Sequence, residues 1–189
     1  MNKAVFLDRD GTINFDKNYI GQPEDIELIP GSSEAIKKLN QAGYKVIIIS
    51  NQAGIARGYM TENALQIVNK KLQKELLNNH AYVDAAYYCP HHADHGFHPY
   101  RKDCNCRKPN PGMLQKAIHD HQIDPALSFM IGDKLTDIEA AKRINLKAFL
   151  VRTGYGQKEE KEISEKMHTP DKIFDNLGQA VDWILEGIK

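Results

Sequence analysis

The sequence predicts an α/β protein built on a doubly wound, mostly parallel sheet, folded as a single domain over residues 1–189. Three observations predict it. Short all-apolar runs, among them Ala4–Leu7, Val46–Ile49 and Phe129–Gly132, read as strands buried on both faces. Amphipathic helical stripes separate these runs, the alternation that covers a parallel sheet with helices. Each of the three runs also stops on polar, chemically capable residues, and ligands of open parallel sheets bind beyond the carboxyl ends of the strands.

In chain order, the first strand is Ala4–Leu7. Ala35, Ile36, Leu39 and Ala42 form a helical stripe closed by Gly43. The second strand covers 45–50. Thr61-Glu62 opens a helix whose Leu65, Val68, Leu72 and Leu76 share one face and belong to the core. The third strand spans about 83–88 and runs into a cysteine- and histidine-rich loop. Pro111 starts a helix with Met113, Leu114, Ala117 and Ile118 inward. A strand at 128–132, a helix near 137–143 and a strand at 147–151 follow. Residues 156–168, rich in Lys and Glu, read as a solvated loop or helix. A short strand, Lys172–Phe174, and a helix with Val181, Ile184 and Leu185 close the chain. The intervals between the polar strand ends hold ordinary elements and leave no room for a large second, capping domain.

Composition sets limits. Lys plus Arg and Asp plus Glu both number 25, so no broad basic surface for nucleic acid is expected. No apolar run approaches membrane-spanning length, and Met1 leads almost directly into a strand without a signal-peptide pattern. A cytoplasmic enzyme is expected, acting as a monomer. Three cysteines cannot close a set of disulfides, and two of them stand as Cys104-x-Cys106, which fits reduced, metal-bound thiols.

The chemistry concentrates in four places. Asp8-Arg9-Asp10-Gly11-Thr12 delivers two carboxylates from one strand end, with Gly11 to turn the backbone. Two carboxylates that close repel, so one tends to hold a proton unless a cation intervenes. That suits one that attacks and one that shuttles protons. Ser50-Asn51-Gln52, Arg107-Lys108 and Gly132-Asp133-Lys134 with Asp137 bring hydroxyl, basic and acidic groups to the same edge. Each alone has an ordinary explanation: an Asx turn, a helix N-cap, a solvated lysine. Their ordered arrival at strand ends does not. Separately, Cys89-x-His91 and Cys104-x-Cys106 supply three thiolates and an imidazole, a set that suits tetrahedral, structural Zn²⁺. His92, His95 and His98 lie close enough in sequence to replace His91. The loop from 89 to 106 has little apolar content, so the metal would stand in for a core and orient Arg107 and Lys108.

These motifs together resemble the haloacid dehalogenase (HAD) superfamily of phosphohydrolases over residues from about 4 to 155. FLDRDGTIN (6–14), NQAGIARG (51–58), Cys89-Pro90-His91-His92 and CNCRKPNPG (104–112) narrow the resemblance to its histidinol-phosphatase-like subfamily. The run Gly54–Gly58, Pro111-Gly112 and Lys134 favour the branch acting on a heptose bisphosphate over the histidinol-phosphate branch. The resemblance implies a Rossmann-like fold and catalytic Mg²⁺ held by the Asp8 and Asp133 carboxylates and the Asp10 backbone carbonyl. Asp137 would hold the ion's waters or Lys134. Asp8 would form an aspartyl phosphate, Asp10 would act as acid and then base, and Lys108 and Ser50 would steady the transferring oxygens. Zinc would take Cys89, His91, Cys104 and Cys106. Asp16, Lys17, Asn18 and Tyr19, together with Asn51, Gln52, Ala53, Lys108 and Lys134, would contact a small phosphorylated sugar. Arg107, capable of a bidentate contact, would grip the second phosphate of a bisphosphate. The implied activity removes the 7-phosphate of a heptose 1,7-bisphosphate on the way to lipopolysaccharide core precursors. Competing readings are a histidinol-phosphate, other small phosphomonoester or nucleic-acid 3′-phosphatase, and a phospho-accepting signalling module. Asp10 speaks against the module, because a proton shuttle beside the nucleophile promotes turnover.

Overall fold

A computed structural model describes residues 1–163 and 169–187. Among the described residues six strands and six α-helices alternate: β1 (Ala4–Leu7), α1 (Ser32–Gln41), β2 (Lys45–Asn51), α2 (Glu62–Asn78), β3 (Ala85–Cys89), α3 (Gly112–Asp120), β4 (Phe129–Gly132), α4 (Leu135–Lys142), β5 (Lys147–Val151), α5 (Gly156–Glu160), β6 (Lys172–Phe174) and α6 (Leu177–Glu186). All strand pairings are parallel, in the order β3-β2-β1-β4-β5-β6. The order reverses at β1, which lies between β2 and β4, and this is where an open sheet leaves its crevice.

The two-residue period of the strands sorts the core. Val5, Leu7, Val46, Ile48, Ile131, Phe149 and Val151 pack under α1, α2 and α6. Ala4, Phe6, Ile47, Ile49, Met130, Ala148 and Leu150 pack under α3 and α4. Every residue of β1 is buried, as a strand covered on both faces must be. Leu7 is level with Ile48 and Ile131, so the residues following these three strands emerge at one edge.

Element edges moved where side chains took over backbone hydrogen bonds. The helix expected near 137–143 is α4 and begins at Leu135, because Asp137 accepts the Lys134 N–H and caps the first turn as its N3 residue. The strand expected at 83 begins at Ala85. Before it, the Asp84 carboxylate accepts from the Val46 N–H at 2.8 Å. The strand expected at 128 begins at Phe129, the Ser128 hydroxyl being spent on the Ala4 N–H and the Asp124 carbonyl. Of the stretch 156–168, Gly156–Glu160 is helical, and 164–168 lie outside the described residues. Among the described residues no helix is long and apolar enough to cross a membrane.

Phe149 joins the last strands to α6. Its ring, 1% exposed, lies 5.4 Å from Phe129, 5.4 Å from Phe174 and 5.3 Å from Trp183. Phe149→Ala is expected to cost about 3–5 kcal/mol through lost burial and a residual cavity. Urea unfolding of both proteins measures it, and a loss below about 1 kcal/mol would show that α6 does not depend on this ring.

Candidate active site

Asp8, Ser50, Lys108, Asp133 and Asp137 are all buried at the carboxyl edge of the sheet. Lys108 Nζ sits among them, 2.9 Å from Asp8 Oδ1 and 2.6 Å from Asp137 Oδ1, and donates to the Ile49 carbonyl at 2.6 Å. The contacts to Asp8 and Ile49 are hydrogen bonds, and the contact to Asp137 is an ion pair. Burial favours the neutral amine, but Asp137 and Asp8 outweigh it and raise the Lys108 pKa. The segment is held by the Asn51 side chain, which donates to the Lys108 carbonyl and accepts from the Lys108 N–H, both at 3.0 Å. Asn51 thus works on the backbone of Lys108.

The three carboxylates Asp8, Asp133 and Asp137 approach within 4.8 Å of one another. Burial, with the Asp8 charge next, pushes Asp133 up to about 8. Burial pushes Asp137 to about 6, against the pull of Lys108. Asp133 Oδ2 accepts from the Tyr155 N–H at 2.8 Å, while its buried Oδ1 has no hydrogen-bond partner among the described residues. Gly11, at φ 88°, and Gly154, at φ 55°, press on this carboxylate where a Cβ would collide with it. An all-oxygen trio with an orphaned acceptor fits a hard divalent cation.

Asp10 stands apart from this trio. Oδ1 accepts from Arg9 Nε at 3.0 Å and Asn14 Nδ2 at 2.9 Å, and Oδ2 from Arg9 NH2 at 2.8 Å and Gln52 Nε2 at 2.9 Å. Burial pushes its pKa up, but the Arg9 charge and these donors prevail and hold it below the usual carboxylate value. Arg9 is therefore the cation that relieves the Asp8–Asp10 pair. Of the trio, Asp133 is the carboxylate whose charge is least compensated.

A cavity of about 300 Å³ opens above these groups. Asp8, Asp10, Ser50, Asn51, Gln52, Ala53, Arg107 and Lys108 line it, as do Asp16, Asn18, Tyr19 and Lys134. Lys17 is not brought there: its Nζ pairs with Glu27 at 3.0 Å on the surface. Asn18 and Tyr19 adopt φ of 57° and 58° in the loop after β1. Lys134 Nζ is 3.2 Å from Asp16 Oδ2 and 4.6 Å from the centre of the Tyr155 ring. Arg107 NH1 donates to the His91 carbonyl at 3.1 Å. Gln52 Nε2 also donates to Ser50 Oγ at 2.9 Å. Thr136, within the run from Gly132 to Asp137 but given no role there, lines the cavity too, as does Tyr155, which lay in no motif. Tyr155 follows the carboxyl end of β5, a position that the strand-end rule alone would have flagged.

The second cluster lies at the end of β3. Cys106 Sγ is 3.1 Å from Cys89 Sγ and 3.3 Å from Cys104 Sγ, and His91 Nδ1 is 3.3 Å from Cys106 Sγ. Bonds of about 2.3 Å in a thiolate tetrahedron imply sulfur separations of about 3.8 Å, so the sulfurs converge somewhat more tightly here than around a bound ion. Three sulfurs and one imidazole fit zinc, and burial raises the Cys89 thiol with no cation to counter it. Of the four candidate histidines, His91 joins the thiols. His92 Nδ1 accepts from the Asp94 and His95 amides, closing a turn of the loop. Asn110 Nδ2 donates to the Cys104 carbonyl and the Gly112 N–H to the Asn105 carbonyl, so the cluster and the Lys108 segment are tied together.

Comparison with known proteins agrees with this geometry. Residues 105–180 match the family described as HAD-hydrolase-like. The D-glycero-beta-D-manno-heptose-1,7-bisphosphate 7-phosphatase of Pasteurella multocida is 40% identical over 183 residues, 94% of this chain and 99% of that protein. The enzyme of the same name from Escherichia coli K12 is 38% identical over 98% of this chain and 89% of its own length. Among solved structures, the D,D-heptose 1,7-bisphosphate phosphatase from B. bronchiseptica, complexed with magnesium and phosphate, gives a TM-score of 0.87 at 31% identity, covering 98% of this chain and 99% of that one. An L-2-haloacid dehalogenase from Xanthobacter autotrophicus, 13% identical with a TM-score of 0.61, shares the fold.

The Cys/His donor set predicts about one equivalent of zinc per chain in protein purified without chelator. Cys106→Ser should lower the zinc content and weaken turnover by freeing the Lys108 segment. Elemental analysis with parallel assays decides it: zinc-free protein that is fully stable and active would remove the metal from this cluster. By the relatives described above, the chain belongs to the D-glycero-D-manno-heptose-1,7-bisphosphate 7-phosphatase family of HAD-like hydrolases and is a phosphatase.

Proposed function

We propose that this member of the heptose-bisphosphate 7-phosphatase family hydrolyses the 7-phosphate of D-glycero-D-manno-heptose 1,7-bisphosphate through an aspartyl phosphate on Asp8. The observation that carries this reading is the Asp8–Lys108 pair at the floor of a cavity that Arg107 also lines. A nucleophile has an ammonium beside it, and the guanidinium of Arg107 lines the same cavity.

Asp8 attacks phosphorus in line. Lys108 Nζ and the Ser50 hydroxyl take the non-bridging oxygens, Lys108 exchanging part of its contact with Asp8 and Asp137 for the phosphoryl group. Asp10, which Arg9, Asn14 and Gln52 hold as a carboxylate in the free site, takes up a proton from solvent when the substrate is bound, gives it to the departing sugar oxygen, and then takes one from the water that opens the aspartyl phosphate. Asp8 and Asp133 would hold Mg²⁺ through their carboxylates and Asp10 through its backbone carbonyl, with Asp137 steadying Lys108 and the Lys134 amide beside them. Bound there, Mg²⁺ would screen the dianion from the incoming carboxylate. The zinc cluster would be structural, its four protein ligands leaving no position for water. Asp16, Asn18, Lys134 and Tyr155 surround the space left for the sugar hydroxyls. Arg107, with one nitrogen on the His91 carbonyl, keeps others for the second phosphate. We read the chain as one domain whose site is complete in a single copy. Its reduced thiols and its place in the supply of lipopolysaccharide heptose fit the cytoplasm.

Asp8→Asn is expected to abolish turnover with the fold intact, because the amide does not attack phosphorus. Turnover within tenfold of wild type, in protein cleared of contaminating phosphatases, would exclude Asp8 as nucleophile.

Arg107→Ala separates a bisphosphate substrate from its rivals. A contact to the non-reacting phosphate exists in ground and transition states alike, so its loss raises KM. A charge-assisted contact is worth about 1.5–3 kcal/mol, roughly ten- to hundredfold in kcat/KM on the bisphosphate. A matched monophosphate, or histidinol phosphate, should barely respond. Equal losses on both substrates would assign Arg107 to the chemistry or to the loop.

A further inference from the structure

Arg9 is the bulkiest fully buried side chain described, 1% exposed. A guanidinium out of water needs an opposite charge and partners for its N–H groups. Arg9 finds the charge in its neighbour Asp10, which it grips through Nε to Oδ1 and NH2 to Oδ2. Its remaining amino group reaches Asn69 Oδ1 on α2 at 3.0 Å. A bidentate pair fixes both the position of a carboxylate and the rotation of its plane. Arg9 and Asn69 stay outside the cavity lining, whereas Gln52, which donates to the other side of Oδ2, is part of it. Asp10 is thus held by Arg9 from outside the cavity lining and by Gln52 from within it.

We propose that Arg9, seated by Asn69, is a positioning residue that aims the Asp10 carboxylate at the leaving oxygen, so that helix α2 sets the geometry of proton transfer. The inference rests on reading Asp10 as the acid of the phosphatase. A general acid works within about 2.6–3.2 Å of its oxygen, and a misplacement of about 1 Å costs about a hundredfold.

Leaving-group dependence tests it, because a purely structural Arg9 would not produce it. On kcat/KM, which reports transfer to Asp8, a nitrophenyl phosphate expels a stable phenolate and needs no proton, whereas a sugar phosphate must protonate its alkoxide. Arg9→Lys keeps the charge and loses the fork; Asn69→Leu leaves Arg9 and removes its seat. Relative to wild type, kcat/KM on the heptose bisphosphate should fall about a hundredfold in Arg9→Lys and about tenfold in Asn69→Leu, with KM little changed. On nitrophenyl phosphate both should fall less than about threefold. Asp10→Asn is the reference and should show the same selectivity, more strongly. Equal losses on both substrates, or no loss on the sugar in folded variants, would overturn the clamp while Asp10→Asn keeps its selectivity. If Asp10→Asn shows none, the acid assignment falls and the clamp with it. Should Arg9→Lys not fold, Asn69→Leu decides alone, since Asn69 is only half-buried.

Discussion

The site depends on one buried ion-pair system, Lys108 Nζ between Asp8 and Asp137. Carboxylates crowded at a sheet edge repel one another, and in a poorly solvated pocket that repulsion is large. Lys108 offsets it for two of them, Arg9 offsets it for Asp10, and Lys134 faces Asp16. Among the described residues the inner oxygen of Asp133 has no hydrogen-bond partner, and burial together with the Asp8 charge pushes its pKa up to about 8. Such a site gains most from a divalent cation at the place where the carboxylates converge. Breaking one partner of such a buried pair is far costlier than its net worth, because the other charge is stranded.

Much of the surrounding chain serves to hold Lys108. It arrives on a loop rather than on a strand, and a loop tip needs anchors. Asn51 at the end of β2 bonds its backbone on both sides. Two residues before it, Cys106 enters the thiol–imidazole cluster, and Asn110 and Gly112 fasten the other flank to the same loop. The cluster therefore does for 89–106 what an apolar core does for the sheet. The Tyr88 and Tyr100 hydroxyls both donate to Glu62 at the start of α2, fixing the loop to the body of the protein.

The sheet was legible in the sequence because β1, β2, β4 and β5 are buried on both faces, so their apolar runs stand out. The parallel pairing followed from the alternation with helices, whereas the order β3-β2-β1-β4-β5-β6 did not. Edges were less legible where a side chain substituted for a backbone partner, as Asp137, Asp84 and Ser128 do. Within the site, residues of recognisable type at strand ends could be named beforehand, and the structure brings Asp8, Ser50, Lys108 and Asp133 together. Lys17 shares a loop with three lining residues, but Glu27 offers it a partner on the other side. Nothing in local spacing announces that choice. Arg9 was visible between two aspartates, but its link to Asn69 joins residues 60 apart and exists only once α2 has packed. Tyr155 belongs to no motif and owes its place to the geometry of the sheet edge.

The central claim is that phosphoryl transfer passes through Asp8, whose carboxylate is buried yet lines the cavity, and not through Asp133, which is not among its lining residues. The most direct measurement is rapid acid quench of the magnesium-loaded wild-type enzyme during turnover of the heptose bisphosphate, followed by peptide mapping at low pH. The account predicts an acid-stable, hydroxylamine-labile phosphate on the peptide carrying Asp8, formed and lost at rates consistent with turnover. A phosphate on Asp133 or Asp137, or no phosphopeptide while product is being released within the first turnover, would contradict it.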